Sequence, residues 1–326
     1  MLKVAYLLGA GATQSELDNI GWNGSVLMKN LKRPIHEKAL KEKKYNEIFE
    51  DEVDIEQMIS LLDDLNYLEY SGLPDKIRKL FFKEILSNMM KGKKMAHPRY
   101  LKLLLQLHKN YSKYMGVTGE TLEAVLTLNF DSLIDQAFDK VYGSINYGVN
   151  AKSKDFRISR DIPKILKLHG SFNWSSVTTG TGIVVNQNLE FKYGEKSLCL
   201  PPSIYKKTFV ETPPYNQIWT GAREVLENCD ILRVLGCSLR KEDWPLISLI
   251  FTSQVRSKNK FSIELIVPID TATRIQDDFV FLGNLHPFKS KRKDVFFDWI
   301  IKKYEEVANR TDSIGKDDLV NEILGL

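Results

Sequence analysis

The chain is poor in the groups that hold metals and cross-links. Its 326 residues include three cysteines, Cys199, Cys229 and Cys237, and no CxxC pair. A tetrahedral Cys-rich zinc site therefore lacks ligands, and a disulfide framework lacks pairs. Five histidines are scattered, at His36, His97, His108, His169 and His286. None forms the HExxH pair of helix-borne zinc hydrolases. No uninterrupted apolar run reaches the length of a membrane span. The apolar N-terminal stretch, Met1 to Leu8, is short and runs into glycines rather than a cleavage site, so it does not read as a secretory leader. A cytoplasmic location is the expectation. Neither sign of charge dominates: 46 basic and 42 acidic side chains leave a formal net charge of +4. No nucleic-acid recognition module is visible, and direct binding of nucleic acid is not expected. The basic clusters Lys41–Lys44, Lys91–Lys94 and Lys289–Lys293 read as solvated turns and helix ends.

What the chain does have is an ordinary apolar share, 43%, arranged in two alternating patterns. Lys3–Leu8, Leu122–Leu128, Lys164–Leu168, Asp230–Leu235 and Ser262–Val267 are strand candidates, the last two near-continuous apolar runs of the kind buried on both faces of a parallel sheet. Phe279–Leu282 is a last, short candidate. Helical spacing covers Ser132–Val141, Pro214–Glu227, Asp243–Val255 and Val295–Val307. Strands alternating with helices predict an α/β fold with a parallel sheet covered on both faces. Residues 34–115 read as a helical insertion, with starts at Asp54, Pro74 and Pro98 and no strand signal. Residues 172–210 read as an irregular lid, and residues 291–326 as a C-terminal helical extension of a domain spanning 1–290.

Four short polar motifs follow four of these strands. Gly9-Ala10-Gly11-Ala12-Thr13 sits between a strand and a helix, where small residues let backbone N–H groups reach an anion. A tight turn without a ligand would account for the same residues. Asn129 and Asp131 follow the second strand; a helix cap would explain Asp131 but not Asn129. His169 stands before Gly170 and Ser171 at the end of the third, where it can serve as a base or orient a sugar hydroxyl; a satisfied structural histidine would account for the same position. Gly236, Ser238 and Leu239, in Leu235-Gly236-Cys237-Ser238-Leu239, form a second anion or ribose loop after the fourth. Asp270 lies just past the fifth strand, where an acid either accepts ribose hydroxyls or caps a helix. Loops at the carboxyl ends of parallel strands are where open α/β sheets bind ligands.

The ordered set GAGAT, LNFD, KLHGS and LGCSL resembles the sirtuin-like NAD-consuming domains, in particular the zinc-free branch found in bacterial anti-phage defence proteins. The resemblance covers roughly residues 1–285. It implies a Rossmann-like (DHS-like, NAD/FAD-binding) fold. It implies that Gly9, Ala10, Gly11, Ala12 and Thr13 hold the NAD phosphates. Asn129, Asp131 and His169 would lie at the nicotinamide ribose as the catalytic set. Gly236, Ser238 and Leu239 would meet phosphate and ribose, and Asp270 the adenosine side. The chain departs from the family's protein deacylases: their two CxxC pairs are missing, Thr13 replaces the usual Ser, and a helical block is inserted. The resemblance thus implies no zinc, with NAD as substrate, cleaved to nicotinamide and ADP-ribose by an NAD+ glycohydrolase that depletes NAD in defence. It also implies control by homo-oligomerisation or by a partner, a hexameric translocase-type ATPase being the candidate. The competing readings are a non-catalytic NAD or ADP-ribose sensor and a deacylase or ADP-ribosyltransferase.

Overall fold

A computed structural model describes residues 1–49, 51, 53–65, 72–91, 94–109, 120–177, 182–186, 197–200 and 211–310. Its frame is a six-stranded, wholly parallel sheet. In chain order these strands are β1 (Leu2–Leu8), β4 (Glu120–Thr127), β6 (Lys164–Lys167), β10 (Ile231–Leu235), β11 (Ser262–Ile266) and β12 (Leu285–Pro287). Their order in space is β12-β11-β10-β1-β4-β6. Val4 to Leu8 and Leu232, Val234 and Leu235 are fully buried, which is why these strands carry apolar residues on both faces.

The register fixes where the strands stop. Leu8 pairs with Leu235 on one side and Thr127 on the other; Thr127 pairs with Lys167, and Leu235 with Ile266. The residues that follow five strand ends therefore emerge in one row along the carboxyl edge. From β1 the chain moves toward β4 and β6, and later returns to build β10, β11 and β12 on the other side. The reversal places a crevice between the turns after β1 and β10, the switch point at which open α/β sheets bind ligands.

Helices cover the sheet: α1 (Ala10–Asn19), α2 (Met28–Ala39), α3 (Lys43–Asn46), α4 (Ile55–Leu65), α5 (Leu73–Asn88), α6 (Tyr100–Lys109), α7 (Leu133–Tyr142), α8 (Tyr215–Asn228), α9 (Trp244–Arg256), α10 (Ile269–Asp278) and α11 (Val295–Arg310). Three details differ from the sequence pattern. First, α2 starts at Met28 and carries Pro34 inside it. Its buried stripe of Leu31, Ile35 and Ala39 offsets the hydrogen bond that Pro34 cannot make. Second, the helical block contains a two-strand hairpin, β2 (Met90–Lys91) with β3 (Lys94–Met95). Third, Phe279–Leu282 is a turn, and among the described residues the last strand is β12. Phe279 and Leu282 are buried one by one while Val280 is 80% exposed, so their apolar character marks plugs at a helix end rather than a ladder.

The stretch expected to be an irregular lid carries strands where it is described. β7 (Gly170–Ser176), β8 (Ile183–Val185) and β9 (Ser197–Cys199) join β5 (Ala151–Ser153) in a second sheet of order β5-β8-β7-β9. Residues 178–181, 187–196 and 201–210 of that stretch, and 311–326 of the C-terminal extension, lie outside the described residues. Among the described residues no helix is long and apolar enough to cross a membrane.

A buried cation ties the sheet together. The Arg233 guanidinium, 1% exposed, donates to both carboxylate oxygens of Glu120 at 2.6 and 2.8 Å, to Glu264 at 2.8 Å and to the Tyr6 hydroxyl at 3.1 Å. One residue thereby links β1, β4, β10 and β11. A fork of fixed donors suits such a junction better than an ammonium would.

Candidate active site

A cleft of about 480 Å³ opens at the carboxyl edge of the sheet. Its lining draws on every predicted motif: Gly9, Ala10, Gly11, Thr13, Asn129, Asp131, His169, Gly236 and Ser238. Ala12 and Leu239 are buried behind it, and Asp270 lies exposed in the first turn of α10, outside the lining. Val267, Pro268 and Thr271 border the cleft at that end instead.

The glycines serve the approach of one loop to another. A Cβ on Gly9 would sit 2.5 Å from the Cys237 Cα, and one on Gly11 2.8 Å from the Gly236 Cα. Gly236 has φ +57 and would place a Cβ 2.3 Å from the Ala12 nitrogen. The two turns are stitched by Gly9 N donating to Leu235 O (3.0 Å) and Gly11 N to Gly236 O (2.8 Å). Ala12 N donates to Gly9 O at 3.0 Å. Two early amides of α1 are therefore already spent within the protein, which weakens the helix end as an anion cradle. Gly170 likewise serves the fold: with φ +78, its Cβ would fall 1.8 Å from the Leu198 carbonyl oxygen on β9. The space beside it belongs to the second sheet rather than to a ligand.

Asn129 is held by its nitrogen. Nδ2 donates to the Gly9 carbonyl oxygen at 3.0 Å and to the Thr13 hydroxyl at 2.9 Å. A carbonyl only accepts, so this contact fixes which end of the amide is which. Both amide protons are used, and Oδ1 remains as the acceptor. The Thr13 hydroxyl in turn donates a hydrogen bond to Asp131 Oδ2 at 2.6 Å. The other carboxylate oxygen, Oδ1, accepts from Leu133 N at 2.9 Å, at the start of α7. Asp131 is thus cap and anchor together, at the base of an Asn129–Thr13–Asp131 relay. Burial pushes its carboxyl above the usual range, against the pull of the Lys167 ammonium and the Thr13 hydroxyl.

His169 emerges beyond β6, 8% exposed, with its ring tilted against Phe130 at 6.2 Å. Beneath it lies the first residue of the KLHGS motif, to which the sequence reading gives no role. Lys167 is fully buried, and its ammonium donates to the Asp131 carbonyl (2.5 Å), Asp135 Oδ2 (2.7 Å) and Ser171 Oγ (2.6 Å). It connects the Asn129 loop, α7 and the residues after His169. The signal was present: in a parallel strand buried on both faces, a lysine flanked by Ile165, Leu166 and Leu168 has to be buried and paired.

The opposite wall is built by Val26, Met28 and Lys29 around the start of α2, before the predicted insertion, and by Asp54, Glu56, Phe81 and Ile85 within it. Asp54 Oδ1 caps α4, accepting from Glu56 N at 2.9 Å. Asp54 Oδ2 accepts from Arg240 Nη2 at 2.9 Å, and Glu56 and Glu242 approach the same guanidinium at 3.7 and 3.4 Å. Burial alone would lower the Arg240 pKa, but the Glu56, Asp54 and Glu242 carboxylates outweigh it and hold the group above its usual value. The sequence pattern marks Asp54 as a helix cap and carries no signal for Arg240. Cys237 lines the cleft as a buried thiol, and burial pushes the Cys229 thiol up to about 12. Among the described residues no group of three or more His, Cys, Asp or Glu side chains is placed to hold a metal.

Fold and site together define an open parallel α/β protein with a cleft at the switch point of its sheet, lined by both polar and apolar residues. A family model described as a SIR2-like domain matches residues 123–267, the segment from β4 through the end of β11 that contains Asn129, Asp131, His169, Gly236 and Ser238. That segment is similar to SIR2-like domains. Solved structures similar to the whole chain include a Sir2 homologue mutant complexed with 2'-O-acetyl ADP ribose, at 14% identity, TM-score 0.45, covering 96% of this chain and 95% of that one. A Sir2 homologue–NAD complex is similar at 12% identity, TM-score 0.44, covering 96% and 91%. Sir2Tm bound to a propionylated peptide is similar at 16% identity, TM-score 0.43, covering 94% and 93%. No curated protein matches the chain.

Proposed function

We propose that this cleft binds NAD and hydrolyses the bond between nicotinamide and ribose, releasing nicotinamide and ADP-ribose. One observation carries the reading: His169 and the Oδ1 acceptor end of Asn129 share a cleft with the turns at Gly9 and Gly236. In that reaction the C1'–N bond breaks and its electron pair leaves on the nicotinamide ring nitrogen. The oxygen of water then bonds to C1' and gives up a proton. The transition state is cationic at the ribose, so positioning and electrostatics supply most of the acceleration. Asn129 accepts a hydrogen bond from a ribose hydroxyl or from the attacking water. His169 bonds a ribose hydroxyl or takes the water's proton. Asp131 and Thr13 act through Asn129, whose amide they orient. Gly9, Ala10, Gly11, Gly236 and Ser238 border the pyrophosphate.

The biological role we propose follows from the resemblance of the ordered motifs: a cytoplasmic anti-phage effector that depletes NAD. Such an activity has to be restrained in a healthy cell, and we propose that assembly into a homo-oligomer and a hexameric translocase-type ATPase partner supply the control. The test is incubation of purified protein, alone and with such a partner, with NAD, followed by separation of nicotinamide and ADP-ribose. Release of nicotinamide that is lost in His169→Ala supports hydrolysis. Tight NAD binding without release, by calorimetry, would assign the cleft to a sensor instead.

A further inference from the structure

The cleft is ill-suited by charge to the ligand proposed for it. Among the described residues, Asp54, Glu56, Asp131 and Asp243 line it, against two cations, Lys29 and Arg240. A pyrophosphate brings two more negative charges. Two early amides of α1 are already bonded to Gly236 O and Gly9 O. Something else has to meet the anion. Lys29 is exposed on α2, whereas the Arg240 side chain is three-quarters buried, two residues beyond Ser238 on the loop that borders the anion. Its guanidinium is engaged by Asp54 at 2.9 Å, with Glu56 and Glu242 further off at 3.7 and 3.4 Å. The longer two are ion pairs rather than good hydrogen bonds, so part of the fork is poorly satisfied.

We propose that Arg240 is the pyrophosphate-binding residue of this cleft, held in reserve by Asp54 and Glu56, so that the anion binds by taking the place of those carboxylates at the guanidinium. The inference rests on the NAD reading and adds to it a built-in restraint. Arginine suits the exchange because its planar fork fits carboxylate and phosphate oxygens alike. The exchange leaves the fold intact on the insertion side, since the α4 cap uses Asp54 Oδ1 and the ion pair uses Oδ2. Each carboxylate that holds Arg240 lowers the resting affinity for the anion, and neutralising them releases the restraint.

The experiment is calorimetric titration of the full chain with ADP-ribose, and with nicotinamide as a ligand that has no phosphate. Asp54→Asn with Glu56→Gln keeps the cap, because asparagine caps as well as aspartate. That variant is expected to bind ADP-ribose on the order of tenfold more tightly, the scale of one charge-assisted hydrogen bond. Arg240→Gln is expected to weaken ADP-ribose by about the same factor, and to abolish the gain when added to the double variant. Arg240→Lys, which keeps the charge and loses the fork, should fall between wild type and Gln. Nicotinamide binding should be unmoved throughout. If the double variant binds ADP-ribose no better than wild type, or Arg240→Gln binds it as well, while the wild-type chain still binds NAD or releases nicotinamide from it, the proposal falls and the NAD reading stands. If neither NAD nor ADP-ribose binds any variant, both fall.

Discussion

Replacing Lys167 by Met removes the cation from a fully enclosed pair and leaves the Asp135 carboxylate behind. The structure sets the scale. Lys167 and Asp135 are both 0% exposed, at 2.7 Å, and among the described residues the other hydrogen bond to that carboxylate is from the Tyr147 hydroxyl, at 2.5 Å on Oδ1. Removing one partner of a buried ion pair costs about 3–5 kcal/mol, because the remaining charge has nowhere to go. Each kcal/mol lowers Tm by roughly 2 °C in a chain of this size, so Lys167→Met should melt about 6–10 °C below wild type. Asp135→Leu should cost a similar amount for the same reason. The double variant should recover part of the loss, since no buried charge is left without its partner, but not all of it, because the Asp131 carbonyl, the Ser171 hydroxyl and the Tyr147 hydroxyl lose a bond. Urea titration of all four proteins gives the coupling energy. Single losses that simply add in the double variant, or a Lys167→Met chain that melts with wild type, would refute the idea that Lys167 and Asp135 form a coupled buried pair.

Gly9→Ala should destabilise by about 1–3 kcal/mol, because its methyl meets the backbone of Gly236 and Cys237 and cannot push it aside. Gly283→Ala, with nothing within 4 Å, should be neutral or slightly stabilising, and thermal melts compare the two. The pH dependence of stability should hide two opposed slopes. Burial pushes the Glu16 carboxyl up to about 7. Between the unfolded value near 4.3 and about 7 the native state therefore keeps a proton that the unfolded chain has released, and stability falls as pH rises. Burial pulls His108 down to about 4. Between about 4 and 6.5 the unfolded chain takes up a proton that the native state refuses, and stability falls as pH falls. Each slope amounts to about 3 kcal/mol across its window. Glu16→Gln should therefore steepen the loss in acid and His108→Gln the loss toward neutrality, as read by urea midpoints from pH 4 to 8. Unchanged slopes in both variants would remove the assignment.

The carboxyl edge of the sheet was legible because parallel strands buried on both faces are near-continuous apolar runs. The first polar residues after such runs, Gly9, Asn129, His169 and Gly236, fall at the strand ends by construction. Register then lines those ends up, and pairs such as Leu8 with Leu235 explain why residues far apart in sequence meet in one cleft. Other features were not legible because each depends on a distant partner. Asp54 caps its helix as its local pattern says, but its second oxygen holds Arg240 from across the cleft. Thr13, placed by motif in an anion loop, spends its hydroxyl on Asp131. The glycines at 9, 11 and 170 suited ligand approach on local grounds, and in the fold their missing side chains make room for other segments of the protein. Asp270 follows its strand as expected, yet the helix that begins at Ile269 carries it to the surface.

The most direct measurement of the central claim is the amount of nicotinamide and of ADP-ribose formed when the purified chain, with and without a candidate partner, is held with NAD. The account predicts equal yields of the two products from wild type. It predicts a loss on the order of a hundredfold or more in His169→Ala, with the melting temperature preserved. Undiminished release from His169→Ala and Asn129→Ala alike would place the chemistry elsewhere and contradict the account.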